Sequence, residues 1–122
     1  MAPPSIERTI APVQGRSLAV AHSGTVYAVA YDPDAAEGIA AQTRNALAFL
    51  DARLAELGSD KAGLLQVTIY LQDMTMKQAM DVVWCDWVGP QDNWPQRACV
   101  GADLGDGGVS LIEIVAIAAQ TD

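Results

Sequence analysis

The amino-acid sequence predicts an α+β fold, a single domain with two helices on one face of a mixed β-sheet. Three observations support this prediction: a hairpin signal near the N-terminus, two stretches with apolar residues at helical spacing, and apolar strand-like segments after them. The predicted order of elements over residues 1–122 is β-β-α-β-α-β-β. With 51% hydrophobic residues, the chain is too apolar to be disordered and long enough to bury a core.

The first elements are predicted to form a β-hairpin. Residues 1–8 are expected to be a loose, proline-containing lead, with a short strand near residues 7–10. Segments 18–21 and 25–31 are apolar and partly β-branched, which is typical of strands. Ser23-Gly24 between them is typical of a tight hairpin turn.

The best-defined element is a long helix after the hairpin. Asp34 and Glu37 have the spacing of a capping box and are expected to begin it, and Gly58 is suited to end it. Gln42 is predicted to lie mostly off the buried face. The apolar residues recur at steps of three and four and form one stripe, which comprises Ile39, Thr43, Ala46, Leu47, Leu50, Leu54 and Leu57.

The second half of the chain predicts a central strand, a second helix and two final strands. Segment 64–71 is an apolar strand long enough to be central in the sheet. Thr75 and Gln78 form a second predicted capping box, and Gly89-Pro90 is expected to end the helix. The last strands begin near Arg97 and at residue 110. The apolar face of the second helix comprises Met76, Met80, Val83, Trp84 and Trp87.

Charge and composition narrow the classes of function. A net charge of -8, with only seven scattered Lys and Arg residues, argues against a nucleic-acid partner, because phosphate binding needs clustered basic residues. The sequence has no apolar run long enough for a membrane span and no recognisable secretion signal, so a cytoplasmic location is expected. Cys85 and Cys99 fit no metal spacing and are interpreted as two thiols, and no metal or cofactor is predicted.

Two charged residues in apolar segments are the candidate functional residues. Arg97 is expected to share a strand face with Cys99, and its guanidinium is either a surface group or a bidentate ligand for a carboxylate. Glu113 lies in the apolar run 111–117. Its carboxylate either pairs with a buried cation or backbone amides, or orients and activates a water molecule.

A second apolar face is expected on the sheet, opposite the helices. A monomer would leave that face in water, so the alternation of apolar residues predicts an oligomer interface there.

The order of elements and several local strings resemble the RidA/YjgF family, whose best-known members are enamine/imine deaminases. The likeness extends from about residue 16 to residue 118 and includes the strings AQTRNALAFLDARLAELGSDK, TIYLQDM and WCDWV. It rests above all on PQRACV followed by IEIVAIAA. The resemblance implies a chorismate-mutase-like fold, and a homotrimer with its sheets packed into a central barrel and clefts between subunits.

The resemblance also implies roles for three residues. Arg97 matches the family's substrate-binding arginine, and Glu113 matches its water-positioning glutamate. Cys99 matches a frequent cysteine whose backbone amide borders the family's pocket.

The sequence departs from the deaminase pattern around the same pocket. Arg16 stands where a tyrosine is usual, and Val29-Ala30-Tyr31 replaces Ser-Gly-Gln. Asp81 replaces an asparagine that is usual in the second helix. Ala30 could still offer a backbone amide to the substrate, whereas Arg16 and Tyr31 are expected to contact a different substituent.

The leading functional hypothesis is hydrolysis of small 2-imino or enamino acids to 2-keto acids and ammonia. Arg97 would clamp the substrate carboxylate in a cleft between subunits, and Glu113 would hold the attacking water. Three alternatives remain. One is a non-catalytic trimer that binds small carboxylated metabolites, and another is a related hydrolase with a different small substrate. The third is a structural scaffold with a vestigial cleft.

Overall fold

The computed structural model describes residues 5–121 and consists of a six-stranded sheet with two α-helices, so the predicted α+β class is confirmed. The short strand expected near residues 7–10 is present and precedes the predicted β-β-α-β-α-β-β order; residues 1–4 of the predicted lead lie outside the described residues. The elements are β1 (Glu7–Ile10), β2 (Ser17–His22), β3 (Thr25–Ala30), α1 (Ile39–Glu56), β4 (Leu64–Leu71), α2 (Lys77–Val88), β5 (Gln96–Gly101) and β6 (Ile112–Ala119).

The sheet is mixed, and its strand order is β1-β2-β3-β6-β4-β5. Among the strands of residues 5–121, only β4 and β5 pair in parallel, because α2 connects them as a crossover and returns the chain to the same end of the sheet. The last strand, β6, lies between β3 and β4 and is antiparallel to both. The predicted central position of segment 64–71 is therefore confirmed, and β5 is an edge strand.

The predicted hairpin of β2 and β3 is also present. Ser23 and Gly24 at its tip both have positive φ angles, 51° and 85°. A tight turn that matches the twist of its strands requires this conformation, and glycine adopts it without steric cost.

The sheet has a face covered by the helices, the helix face, and an opposite face, the open face. The stripe predicted for α1 packs on the helix face, where Leu47, Leu50 and Leu54 are buried. Within residues 5–121, no helix is long and apolar enough to cross a membrane. The sheet residues buried on the helix face include Val26, Ala28, Ala30, Val67, Ile69, Leu71, Ile112, Ile114, Ala116 and Ala118.

The first predicted capping box is wrong. The carboxylate of Asp32 accepts hydrogen bonds from the backbone N–H groups of Asp34, at 2.8 Å, and Ala36, at 2.9 Å. These bonds hold the chain in a turn, and α1 begins only at Ile39, after a residue with no side-chain cap. Asp34 and Glu37 therefore precede the helix instead of capping it.

The second predicted capping box is also wrong. The carboxylate of Asp73 accepts from the backbone N–H of Thr75, at 2.9 Å, and from its hydroxyl, at 2.7 Å. This local pairing stabilises a short 3-10 turn over Met74–Met76. The α2 helix then begins at Lys77, so Thr75 does not cap it and Gln78 lies within its first turn.

Gln42 is buried, contrary to the prediction that it lies mostly off the stripe. Its amide nitrogen donates to the carbonyl oxygens of Ala36 and Val109, each at 2.9 Å. Its amide oxygen accepts from the backbone N–H of Leu111 at 2.8 Å. Gln42 therefore ties α1 to the segment that leads into β6, the strand that carries Glu113.

Replacing Gln42 with alanine is expected to lower the free energy of unfolding by about 2–4 kcal/mol, because three backbone groups lose their partner. Urea unfolding followed by circular dichroism measures the change. Gln66→Ala is the control, since Gln66 is exposed and bonds only to the exposed Gln96. Equal effects of the two substitutions would show that Gln42 does not anchor the segment before β6.

Candidate functional site

The structure places Arg97 and Glu113 on opposite faces of the sheet. Arg97 lies beside Val67 in the parallel β4–β5 pair, and Val67 is fully buried on the helix face. Glu113 lies opposite Tyr70 in the β4–β6 pair. Tyr70 is three positions from Val67, so it belongs to the open face. A single chain therefore does not bring these two candidate residues together.

Arg97 is held against α2. Its Nη2 atom lies 2.9 Å from Oδ1 of Asp81, and its guanidinium carbon lies 5.5 Å from the centroid of the Trp84 ring. Lys77 places its Nζ atom 2.8 Å from Oδ2 of the same aspartate. Two cations thus share one carboxylate, and the cluster carries one net positive charge.

Asp81 is ionised at neutral pH and keeps the guanidinium oriented. Burial alone would raise its pKa, but hydrogen bonds and charges from Lys77 and Arg97 together hold the pKa below the ordinary value of 3.8. The Lys77–Asp81 pair could have been predicted from the sequence, because residues four apart on a helix face each other. The pairing of Asp81 with Arg97 depends on how α2 packs on the sheet as it connects β4 to β5, and the sequence analysis did not predict it.

Cys99 lies on the same strand face as Arg97, as predicted, and it is a free cysteine. Burial raises the pKa of its thiol, although the charges of Arg97 and Lys77 oppose that effect. The thiol is therefore protonated at neutral pH and is a poor nucleophile. A role for its backbone amide remains the prediction for this residue.

Glu113 lines a cavity of about 260 Å³ on the open side of the sheet. The structure brings together three of the predicted residues here, Arg16, Tyr31 and Glu113. Val29, which the sequence analysis named among the departures from the family pattern at the pocket, also lines it, whereas Ser17 and Leu18 were not predicted.

Ala30 does not reach this cavity with its side chain. It is fully buried on the helix face, because successive residues of β3 point to opposite sides of the sheet. Only its backbone could contact a ligand. Tyr31, which follows the strand, lines the cavity, and its ring packs on Phe49 with the centroids 4.8 Å apart.

An apolar surface continues from the Glu113 cavity across the open face. Tyr27 and Val29 are 46% and 38% exposed there. A second shallow depression, lined in part by Tyr27, Val115 and Ile117, adjoins them. Side chains of this size are costly to leave in water, so this surface fits the predicted subunit interface.

The chain is similar in sequence to a known protein family and to several individual proteins. Residues 8–120 match a family model described as Endoribonuclease L-PSP. The chain is 38% identical over 89 residues to the RutC family protein YoaB of Escherichia coli K12, which covers 70% of this chain and 74% of that protein. A RutC family protein of Haemophilus ducreyi is 37% identical over 65 residues, 53% of this chain and 55% of the relative. The chain thus spans about half the length of that relative.

Solved structures resemble the fold over nearly its whole length. A member of the YjgF protein family from Neisseria meningitidis superposes with a TM-score of 0.89 at 35% identity, covering 97% of both chains. A protein from Pseudomonas aeruginosa gives a TM-score of 0.86 at 32% identity and covers 95% of this chain and 99% of its own.

Replacing Asp81 with asparagine is expected to lower the free energy of unfolding by about 0.5–1 kcal/mol at neutral pH. A lowered pKa in the folded state contributes stability above the unfolded value and loses it as the pH falls through the folded pKa. The difference between wild type and Asp81→Asn should therefore be full above pH 3.8 and shrink below it. Urea unfolding across this pH range tests the expectation.

Asp86→Asn is the matched control, since Asp86 is an exposed aspartate on the same helix. A stability difference for Asp81→Asn that persists unchanged at low pH would contradict the ion-pair explanation.

Proposed function

The chain belongs to the Endoribonuclease L-PSP family, the family of the YjgF and RutC proteins, which confirms the resemblance in the sequence; on this basis we propose that it hydrolyses small 2-imino or enamino acids. Water adds to the C=N carbon, and ammonia leaves to give the 2-keto acid. Two observations support the proposal: an oriented, net positive Arg97 cluster on one face of the sheet, and a glutamate that lines a cavity on the other face.

Arg97 is the proposed ligand for the substrate carboxylate. Its guanidinium has five N–H donors, and a single aspartate, which Nη2 contacts at 2.9 Å, does not use all of them, so donors remain for a second carboxylate. The net charge of the Lys77, Asp81 and Arg97 cluster matches a single carboxylate. The Trp84 ring beneath the guanidinium reduces its freedom before the ligand arrives.

Glu113 is the proposed water-positioning residue. It lines a cavity together with the apolar residues Leu18 and Val29. Glu113 would hold one water near the C=N carbon, accept a proton as that water attacks, and return it to the departing nitrogen. Arg16, which lines the same cavity, is a further proposed contact for the substrate.

The two halves of this site require a second copy of the chain. Arg97 lies on β5, an edge strand, so its cluster stands at the border of the molecule. The Glu113 cavity opens on the opposite face, beside the uncovered apolar surface. In the proposed homotrimer, the open faces pack into a barrel, and each cleft combines Arg97 of one subunit with Glu113 of its neighbour.

Ribonuclease activity, which the family description names, is less well supported by this chain. A protein with a net charge of -8 lacks the clustered cations that hold a polyphosphate backbone. The Arg97 cluster has a single net positive charge and suits a small carboxylate better.

Arg97→Ala is expected to lower imine hydrolysis at least about hundredfold, because the substrate loses the contact that positions it. An amino-acid oxidase generates the imine in the cuvette, and semicarbazide competes for it, so enzyme activity appears as reduced semicarbazone formation. Arg44→Ala, an exposed arginine on α1, is the matched control and should keep full activity. Saturable binding of 2-keto acids that depends on Arg97, without hydrolysis, would replace the deaminase with a binding trimer.

A mixture of two inactive proteins, Arg97→Ala and Glu113→Gln, is expected to regain activity when refolded together. In a random trimer, about a quarter of the clefts combine an intact Arg97 with an intact Glu113 from different subunits. The assay is the same semicarbazide competition, with each variant refolded alone as the control. A mixture as inactive as its components, although the subunits exchange, would exclude a cleft shared in this way.

A further inference from the structure

Another cavity, of about 340 Å³, lies between α2 and the segment that precedes β5. It is on the helix side of the sheet, apart from the Glu113 cavity. The residues that line it are Asp81, Trp84, Cys85, Val88, Trp94, Pro95 and Arg97. We call it the two-indole pocket.

The two tryptophans of this pocket are held in fixed positions. Trp84 is 6% exposed and belongs to the core, with its ring beneath the guanidinium of Arg97. Trp94 is 59% exposed, and its indole N–H donates to the carbonyl oxygen of Gly89 at 3.0 Å. This hydrogen bond uses the polar edge of the Trp94 ring and leaves the apolar ring surface at the mouth of the pocket.

The pocket has one charged end and an otherwise apolar wall. Arg97 and Asp81 form the charged end, and Trp84, Val88, Trp94 and Pro95 provide most of the rest. Concave, mostly apolar sites with a few polar groups that fix orientation are typical of small-ligand pockets.

We propose that the two-indole pocket binds the large apolar or aromatic side chain of a monocarboxylate whose carboxylate is held by Arg97. The assignment rests on the proposed function, because it uses the same arginine. It narrows the substrate class to 2-imino acids related to bulky apolar amino acids.

Size and charge both favour this occupant. A cavity of about 150 Å³ is sufficient to hold benzene, so the two-indole pocket has room for an aromatic ring and its linking carbon. The carboxylate of Asp81 lines the same pocket and repels a second carboxylate. A dicarboxylate is therefore disfavoured, although its second carboxylate would be attracted to the positive charge of Lys77.

Isothermal titration calorimetry with pyruvate, phenylpyruvate and 2-oxoglutarate tests the assignment. Wild type is expected to bind phenylpyruvate at least about tenfold more tightly than pyruvate, and 2-oxoglutarate no more tightly than pyruvate. Trp94→Ala should reduce the phenylpyruvate-to-pyruvate preference several-fold, and Trp94→Phe should retain most of it. Val82→Ala removes an exposed apolar side chain of α2 outside this pocket and should leave the preference unchanged.

The outcomes separate this assignment from the proposed function. Pyruvate binding that depends on Arg97, with no preference for phenylpyruvate, overturns the pocket assignment alone. Binding that does not depend on Arg97 for any of the three ligands overturns both. A Trp94→Ala protein with a changed oligomeric mass, measured by light scattering, would assign the Trp94 ring to subunit contacts and also overturns the pocket assignment.

Discussion

The last strand joins the two halves of the sheet, and its alternation places Glu113 on the open face and its apolar residues on the helix face. β6 pairs with β3 on one side and β4 on the other, so its antiparallel ladders join the N-terminal hairpin to the crossover half of the chain. Its even-numbered residues from Ile112 to Ala118 are buried under the helices. The same alternation turns Glu113 toward the open face, so a shift of one residue in register would bury the carboxylate and expose the core.

The crossover imposes a different constraint on Arg97. The α2 helix connects β4 to β5 in parallel, and its Asp81 and Trp84 lie where they can reach a side chain on the covered face of β5. Arg97 is thus fixed by one ion pair and one aromatic ring, and Lys77 adds the charge that keeps the cluster positive. A positive cluster in a chain with a net charge of -8 is a local feature that favours small anions without attracting polyanions.

These two constraints together explain why the proposed site needs more than one chain. A sheet separates the Arg97 cluster from the Glu113 cavity, and no rotamer change carries a side chain through it. The edge position of β5 and the uncovered apolar face beside Glu113 are complementary features. In the proposed trimer, the assembly that covers the apolar face would also supply each cavity with a neighbour's edge, so one interface would provide both the burial of apolar surface and the geometry of catalysis.

The sequence by itself determined the elements and most of their faces. The apolar stripe of α1, the hairpin turn at Ser23-Gly24, the β4 segment and the shared face of Arg97 and Cys99 follow from periods of 3.6 and 2.0, which are local properties of the backbone. The helix starts differ from the prediction for a local reason, because the carboxylates of Asp32 and Asp73 bind backbone N–H groups two to four residues further along the chain and thus compete with the predicted capping boxes. Only the tertiary structure decided the burial of Gln42, the pairing of Asp81 with Arg97 and the separation of Arg97 from Glu113. These features depend on contacts and strand order between segments distant in sequence, and local periodicity carries no information about either.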